Sequence, residues 1–217
     1  TTNNVSCYNY CDATIGVLAS GGAPNINSFG NPVYSYSWND TLLQSTATAI
    51  GLCVDNNTDS STYMCVVSDG QGCSDTLEYT VTQPDSLNVV AEIVSDVLCF
   101  GDNNGKLTAS ISPAGGTAPF TYLWNNETNF DSNPANNNLY SGSYVVVAKD
   151  ANGCMDTTEI YLSQPSEINV DILSKKDVSC FGFDDGQITA EASGGTPFGG
   201  IPPKYSYTWS NSFNEQV

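Results

Sequence analysis

Apolar and polar residues alternate along short stretches of this chain. Leu107-Thr108-Ala109-Ser110-Ile111, Ile188-Thr189-Ala190-Glu191-Ala192 and Leu77-Glu78-Tyr79-Thr80-Val81 each place every second side chain on one face, the period of a half-buried β-strand. The same period runs through Tyr34-Ser35-Tyr36-Ser37-Trp38, Phe120-Thr121-Tyr122-Leu123-Trp124 and Tyr205-Ser206-Tyr207-Thr208-Trp209. Clusters of Gly, Pro, Asn and Asp separate the runs, and no helical period survives over a window of about 11 residues. The pattern predicts strands throughout.

The strands recur as a unit. Val5-Ser6-Cys7-Tyr8, Val97-Leu98-Cys99-Phe100 and Val178-Ser179-Cys180-Phe181 open three copies, each followed by a double glycine (Gly21-Gly22, Gly115-Gly116, Gly194-Gly195) and then the aromatic strand. Two copies continue into a second half, from Tyr63 to Cys73 and from Tyr144 to Cys154, and both end in Gln-Pro, at Gln83-Pro84 and Gln164-Pro165. Cys73 to Cys154, Gln83 to Gln164 and Cys99 to Cys180 are each offset by 81 residues. The third copy runs about half a unit to Val217, as expected of a tandem array cut from a longer protein. About seven short strands in each full copy predict an all-β chain of tandem Ig-like (PKD- or fibronectin III-like) β-sandwich domains. The expected domains are residues 1–84, 85–165 and a partial 166–217, with a closed barrel the less favoured arrangement. The Trp ending the aromatic strand fits a core anchor between two sheets, and Tyr63 and Tyr144 fit tyrosine corners. Pro84 and Pro165 stiffen the junctions, so the domains are expected to stack as a rod.

Composition narrows the function. Asp and Glu number 23 against 5 Lys and no Arg or His, a formal net charge of −18. No basic patch can be built to displace counterions, which argues against nucleic acid and acidic membranes as partners. Without His or Arg, Ser-His-Asp and Cys-His catalysis, imidazole metal sites and bidentate phosphate clamps are gone. The chain is expected not to be an enzyme. Eight cysteines without His partners read as disulfides in an oxidising compartment rather than zinc ligands. No apolar run of about 18 residues is present, so no membrane insertion is expected. A start at Thr1-Thr2-Asn3-Asn4 without a signal peptide reads as a mature or excised piece of a secreted protein.

The succession Cys-Phe-Gly, Asp-Gly, Gly-Gly-Thr-Pro, Tyr-x-Tyr-x-Trp, Tyr-Val-Val-Val, Asp-Ala-Asn-Gly-Cys and Gln-Pro resembles the SprB-type repeat of Bacteroidetes gliding-motility and cell-surface adhesins. Residues 99–165 follow that order, whereas the first copy departs from it with Cys7-Tyr8-Asn9 and longer loops. The resemblance implies secretion by the type IX system and display on filaments at the cell surface. It also implies a structural role in surface adhesion or gliding. Its implied partners are neighbouring repeats, outer-surface motility or secretion machinery, and an external polysaccharide or solid surface. Two other readings stay open: a carbohydrate-binding module of a secreted polysaccharide-processing protein, and a self-assembling filament subunit.

Cys99 and Cys154 are the only cysteines of the second copy, so pairing within a copy, with Cys7–Cys73 as its equivalent, is the simplest framework. The rival framework joins neighbouring copies as Cys73–Cys99 and Cys154–Cys180. Members of the family resembled that carry two extra cysteines place them where Cys11 and Cys53 stand, which implies a Cys11–Cys53 pair. Cys65 takes the place of Val146 on a core strand and reads as a buried free thiol; as a nucleophile it would have no His or Arg available to lower its pKa.

Carboxylates gather in turns: Asp102-Asn103-Asn104-Gly105, Asp184-Asp185-Gly186, Asp55-Asn56-Asn57 and Asp150-Ala151-Asn152-Gly153. Turn chemistry is the plain reading, because Asp, Asn and Gly cap turns and tolerate positive φ. Calcium is the alternative, with Asp102, Asp150, Asp184 and Asp185 as oxygen ligands near domain junctions; no other cofactor is expected. The adjacent pair Asp184-Asp185 is a poor candidate for glycoside hydrolysis, since its turn is copied between units. Thr41, Thr76, Ser86 and Thr157 each follow Asp in a pattern like the Bacteroidetes O-glycosylation motif. The rings of Tyr-x-Tyr-x-Trp read as a core face, with an exposed sugar-stacking stripe as the alternative.

Overall fold

In the computed structural model, residues 1–55, 58–111, 115–199 and 204–210 are described. Asn56 and Asn57 of one carboxylate string lie outside them, as do the last residues of the third copy. Every helix or strand among the described residues is a β-strand.

The first eight are β1 (Thr2–Asn3), β2 (Ala13–Gly16), β3 (Asn25–Ile26), β4 (Pro32–Val33), β5 (Ser35–Trp38), β6 (Thr48–Leu52), β7 (Ser60–Ser68) and β8 (Ser74–Thr82). One sheet has the order β1-β2-β6, the other β5-β7-β8, and β3-β4 form a small hairpin. All three pair antiparallel. The alternating positions decide the core. Ala13, Ile15, Val17, Ala49 and Leu52 come from the first sheet and its flank, Trp38, Cys65 and Val81 from the second, and they meet in one buried cluster. Two sheets sharing a core through their inner faces make a β-sandwich.

The next six are β9 (Val89–Ser95), β10 (Gly105–Ile111), β11 (Thr121–Trp124), β12 (Ala135–Leu139), β13 (Gly142–Lys149) and β14 (Met155–Leu162), paired as β12-β10-β9 and β11-β13-β14. This repeats the order of the first set, with the same registers: Trp38 opposes Cys65 as Trp124 opposes Val146. The tandem β-sandwich architecture rests on this duplication. Gly105 marks how closely the second pair of sheets approaches, since a Cβ there would collide with Leu162 and come within 3.1 Å of Val97. A final hairpin joins β15 (Asn169–Lys176) to β16 (Gln187–Ser193), and every residue of β15 is exposed.

By contact density the chain forms two compact units. One comprises Thr1–Val90, Ala109–Pro134 and Val146–Thr158, the other Ala91–Thr108, Ala135–Val145 and Glu159–Val217. The first holds both anchoring tryptophans. Trp38 and Trp124 are 2% and 0% exposed, and their indole N–H groups donate to Thr46 O at 2.9 Å and Pro134 O at 3.3 Å. A buried indole that also satisfies its polar handle combines a large apolar area with a fixed orientation. Tyr63 and Tyr144 stand near the heads of β7 and β13. The Tyr63 hydroxyl donates to Cys53 O at 2.6 Å and accepts from Cys53 N–H at 3.1 Å, and the Tyr144 hydroxyl donates to Tyr140 O at 3.0 Å.

Cys65 sits fully buried opposite Trp38 as a free thiol, and burial pushes its pKa up. It behaves as a small hydrophobe in the place that Val146 fills in the second set.

Truncating Trp124 to Ala removes the anchor without a replacement. Chemical denaturation is expected to show a loss of about 3–5 kcal/mol, and a loss below about 1 kcal/mol would contradict its role as the core anchor.

Candidate functional site

Two recurring loops carry Cys7, Cys73, Cys99, Cys154 and Cys180, and each is shaped by a specific set of hydrogen bonds. The first is the turn after the long strand, Asp69–Cys73 and Asp150–Cys154. Asp69 Oδ1 accepts the N–H groups of Gln71 and Cys73, both at 2.9 Å, while Oδ2 accepts Ala23 N–H at 2.8 Å. Asp150 does the same: Oδ1 takes Asn152 N–H at 2.9 Å and Cys154 N–H at 2.8 Å, and Oδ2 takes Thr117 N–H at 2.9 Å. Each aspartate therefore holds its own turn closed and ties it to the loop after the double glycine. The glycines make the approach feasible. Gly22 and Gly116 have φ of 65° and 67°, and a Cβ would lie 2.8 Å from Asp69 Oδ2 in the first and 3.2 Å from Asp150 Oδ2 in the second.

The second recurring loop leads into β2, β10 and β16 and holds Cys7, Cys99 and Cys180. The residue before the cysteine donates its N–H to a carboxylate or amide oxygen, from Ser6 to Asp12 and from Leu98 to Asn104, and from Ser179 to Asp185, each at 2.9 Å. The cysteine carbonyl accepts a turn bond from Tyr10 at 3.0 Å, Asp102 at 3.2 Å or Phe183 at 3.1 Å. Between them a residue of positive φ turns the chain: Asn9 at 61°, Gly101 at 78° and Gly182 at 84°. Asn is the residue after Gly that best tolerates that region, which explains how Cys7-Tyr8-Asn9 replaces Cys-Phe-Gly without changing the loop. A glutamine latches it in both full copies, with Asn9 N–H donating to Gln83 Oε1 and Gly101 N–H to Gln164 Oε1, each at 2.9 Å.

These anchors place the cysteines. Val5 N–H donates to Thr82 O and Asn9 N–H to Gln83, so the Cys7 loop lies where β8 ends. Cys73 stands just before β8 begins. A nine-residue strand separates them by roughly 26 Å at 3.3 Å per residue, whereas bonded cysteines need Cα atoms within about 7 Å. The pair Cys7–Cys73 is therefore not formed. Likewise Val97 N–H donates to Ser163 O and Gly101 N–H to Gln164 beyond the end of β14, whereas Cys154 precedes that strand, and Cys99–Cys154 is not formed. Cys7 instead bonds Cys154, with Cα atoms 5.6 Å apart. The Asn152 side-chain amide donates to Ser6 O at 3.2 Å beside it. Cys11 bonds Cys53, because the pairing of Ala13 with Leu52 brings the ends of β2 and β6 together. Cys73, Cys99 and Cys180 are exposed free thiols, so neither Cys73–Cys99 nor Cys154–Cys180 is present.

The remaining candidate residues serve turns. Asp102 accepts from the Asn104 side chain at 3.1 Å, Asp185 accepts from Ser179 N–H and pairs with Lys176 at 3.4 Å, and Asp150 is buried with the three amides just described. Asp184 is exposed. Among the described residues, no three or more Cys, Asp or Glu side chains gather as a metal would need. Thr41, Thr76, Ser86 and Thr157 are all exposed. Of the aspartates preceding them, Asp40 is 5% exposed. Burial pushes its pKa up, but the Gln44 side chain and the amides of Gln44 and Leu42 outweigh that and hold it below the usual value.

A duplicated sandwich with recurring cysteine loops defines a tandem β-sandwich repeat. Residues 91–129 and 172–213 match the SprB repeat family model, so the resemblance read from the motifs is shown at those two places. SprB repeats are associated with cell-surface proteins, and the two disulfides fit an extracellular protein. No curated protein matches the chain. Among solved structures, the human desmocollin-1 ectodomain aligns with 18% identity over 59% of this chain and 29% of its own, at a TM-score of 0.25. Extracellular cadherin domains 1–4 of protocadherin gamma B7 align with 12% identity over 59% of this chain and 40% of theirs, at 0.26. The chain thus spans less than half of either structure, and the architecture described above stands on its strand pairings alone.

The clamp titrates. Ala23 N–H above all, then the amides of Gln71 and Cys73, hold the Asp69 carboxyl below its ordinary value of 3.8 against the opposing effect of burial. A depressed carboxylate stabilises the fold fully above its unfolded pKa and loses that contribution as pH falls through the folded one. The melting temperature of an Asp69→Asn variant is expected to lie below that of the parent at neutral pH, the gap narrowing as pH falls below about 4. A gap that widens on acidification would contradict the clamp.

Proposed function

We propose that the chain is a repeat segment of a large, secreted, non-enzymatic cell-surface adhesin, in which β-sandwich repeats at 1–84, 85–165 and 166–217 serve as a disulfide-stabilised stalk for adhesion or gliding motility. Secretion through the type IX system and contacts with outer-surface machinery and an external polysaccharide or solid surface belong to the same reading. The SprB repeat match supports it. The observation that carries it is the Cys7–Cys154 bond, which joins a loop of the first copy to a turn of the second across 147 residues.

Such a bond redirects tension. Force applied along the chain enters at Cys7 and leaves at Cys154 through the sulfurs, so the polypeptide between them carries none until the bond is reduced. The Cys11–Cys53 bond lies inside the shielded stretch. A stalk under load benefits from this, because unfolding of the shielded strands releases no length. The acidic, lysine-poor surface would keep neighbouring stalks from associating.

Single-molecule pulling from Thr1 and Val217 tests the mechanical reading. Adding reductant is expected to release roughly 500 Å of further extension, the contour length of 147 residues at about 3.5 Å each. Equal extension with and without reductant would contradict it. Antibodies to the chain are expected to label intact cells of its source, and labelling only after permeabilisation would contradict surface display.

A further inference from the structure

The turn of the second copy is filled and that of the first is not. Cys154 is bonded to Cys7, its Sγ lies 3.4 Å from Ser6 O, and the bond leaves Cys7 only 6% exposed. Cys73 occupies the equivalent turn, closed by the same three amide bonds to Asp69 that Asp150 makes beside Cys154. Yet its thiol is free and exposed. Beside it opens a cleft of about 440 Å³ whose lining includes Leu18, Gly21, Tyr34, Asp69, Cys73 and Leu77. Leu18 is 95% exposed and Leu77 37%. Exposed apolar side chains beside a free thiol are the kind of surface that marks an interaction site.

Loops of the kind that fills such a seat occur elsewhere in the chain. Cys99 and Cys180 stand in loops with the same pair of bonds as the Cys7 loop: an N–H before the cysteine donated to Asn104 or Asp185, and a turn bond to the cysteine carbonyl. Both thiols are exposed and free.

We infer that the cleft at Cys73 is a docking site for the Val-x-Cys-(Tyr/Phe) loop of another repeat of this type, and that the two are joined by a disulfide equivalent to Cys7–Cys154. Cys99 and Cys180 are the complementary halves, each directed at the Asp-x-x-Gly-Cys turn of a further repeat. The rule is that the loop cysteine of one repeat bonds the turn cysteine of the next. Forming each bond removes two thiol protons and two electrons, which pass to a disulfide oxidant and reduce it to two thiols. The inference rests on the tandem-repeat reading and extends it: the stalk becomes covalently continuous from repeat to repeat.

A lengthened chain tests it. Placing a second copy of residues 85–172 ahead of Thr1 supplies a preceding repeat whose loop carries its own Cys99. After folding with oxidised glutathione, Cys73 is expected to resist alkylation, and non-reducing peptide mapping is expected to join it to the added copy of Cys99. Cys73 remaining alkylatable while Cys7–Cys154 forms would overturn the inference and leave the tandem-repeat reading standing. Absence of Cys7–Cys154 would overturn the inference together with the disulfide-stapled stalk on which it rests. A second measurement does not depend on the longer chain folding. The 217-residue chain is incubated with a peptide of residues 95–104 activated as a mixed disulfide. Cys73 is expected to capture it at least tenfold faster than a scrambled peptide, and a Cys73→Ser variant is expected to abolish that capture at this site. Equal rates for the two peptides would overturn the proposal.

Discussion

A disulfide between loops of two successive copies, Cys7 to Cys154, constrains this chain more than any other single interaction. It closes 147 residues of sequence, for which the chain-entropy model assigns about 5 kcal/mol of stabilisation by restricting the unfolded state. The bond is selected by backbone geometry. The turn that presents Cys154 is closed by Asp150, and the loop that presents Cys7 is held by Asp12 and Gln83. Both cysteines are therefore positioned by charged or amide oxygens accepting main-chain N–H groups, which are among the stronger hydrogen bonds a short loop can make.

The sandwich supplies the distance between the two kinds of loop. Within the first copy, β8 carries the Cys73 turn at one end and the Cys7 anchor at the other, so these two cysteines cannot meet. What holds β8 in place is the core around Trp38, where both sheets contribute buried apolar residues. Core and cysteine loops thus depend on each other in order: alternation gives strands, strands give ends, and ends decide which sulfurs can meet. The double glycine connects the two levels, because only a residue without a side chain lets the aspartate carboxylate reach the opposite loop.

Much of this was legible in the sequence. Alternation located the aromatic strands and the long strands, and Trp38 and Trp124 read as core anchors because a large ring ends each aromatic run. The preference of Asp, Asn and Gly for turns anticipated the role of Asp150. Cys11–Cys53 and the free Cys65 stand as expected, whereas the Cys7–Cys154 pair was not legible, since spacing along the chain does not say which end of a strand a loop occupies. Pairing loop with turn inside a copy is the simplest framework, and strand direction forbids Cys7–Cys73 and Cys99–Cys154. The glutamine latch was also missed. Its signal is the Gln that precedes Pro at both junctions, where the proline speaks for stiffness and nothing in the sequence pairs the amide with a loop 63 or 74 residues upstream. Asn9 shows the same lesson, since a departure from Cys-Phe-Gly keeps the backbone conformation.

The Cys7–Cys154 bond is the claim on which the mechanical and covalent accounts both stand. Its most direct test is peptide mapping of the oxidised 217-residue chain under non-reducing conditions, with free thiols blocked before digestion. One cross-linked pair of peptides containing Cys7 and Cys154 is expected, and another containing Cys11 and Cys53. Recovery of Cys7 with Cys73, or of Cys99 with Cys154, would contradict it.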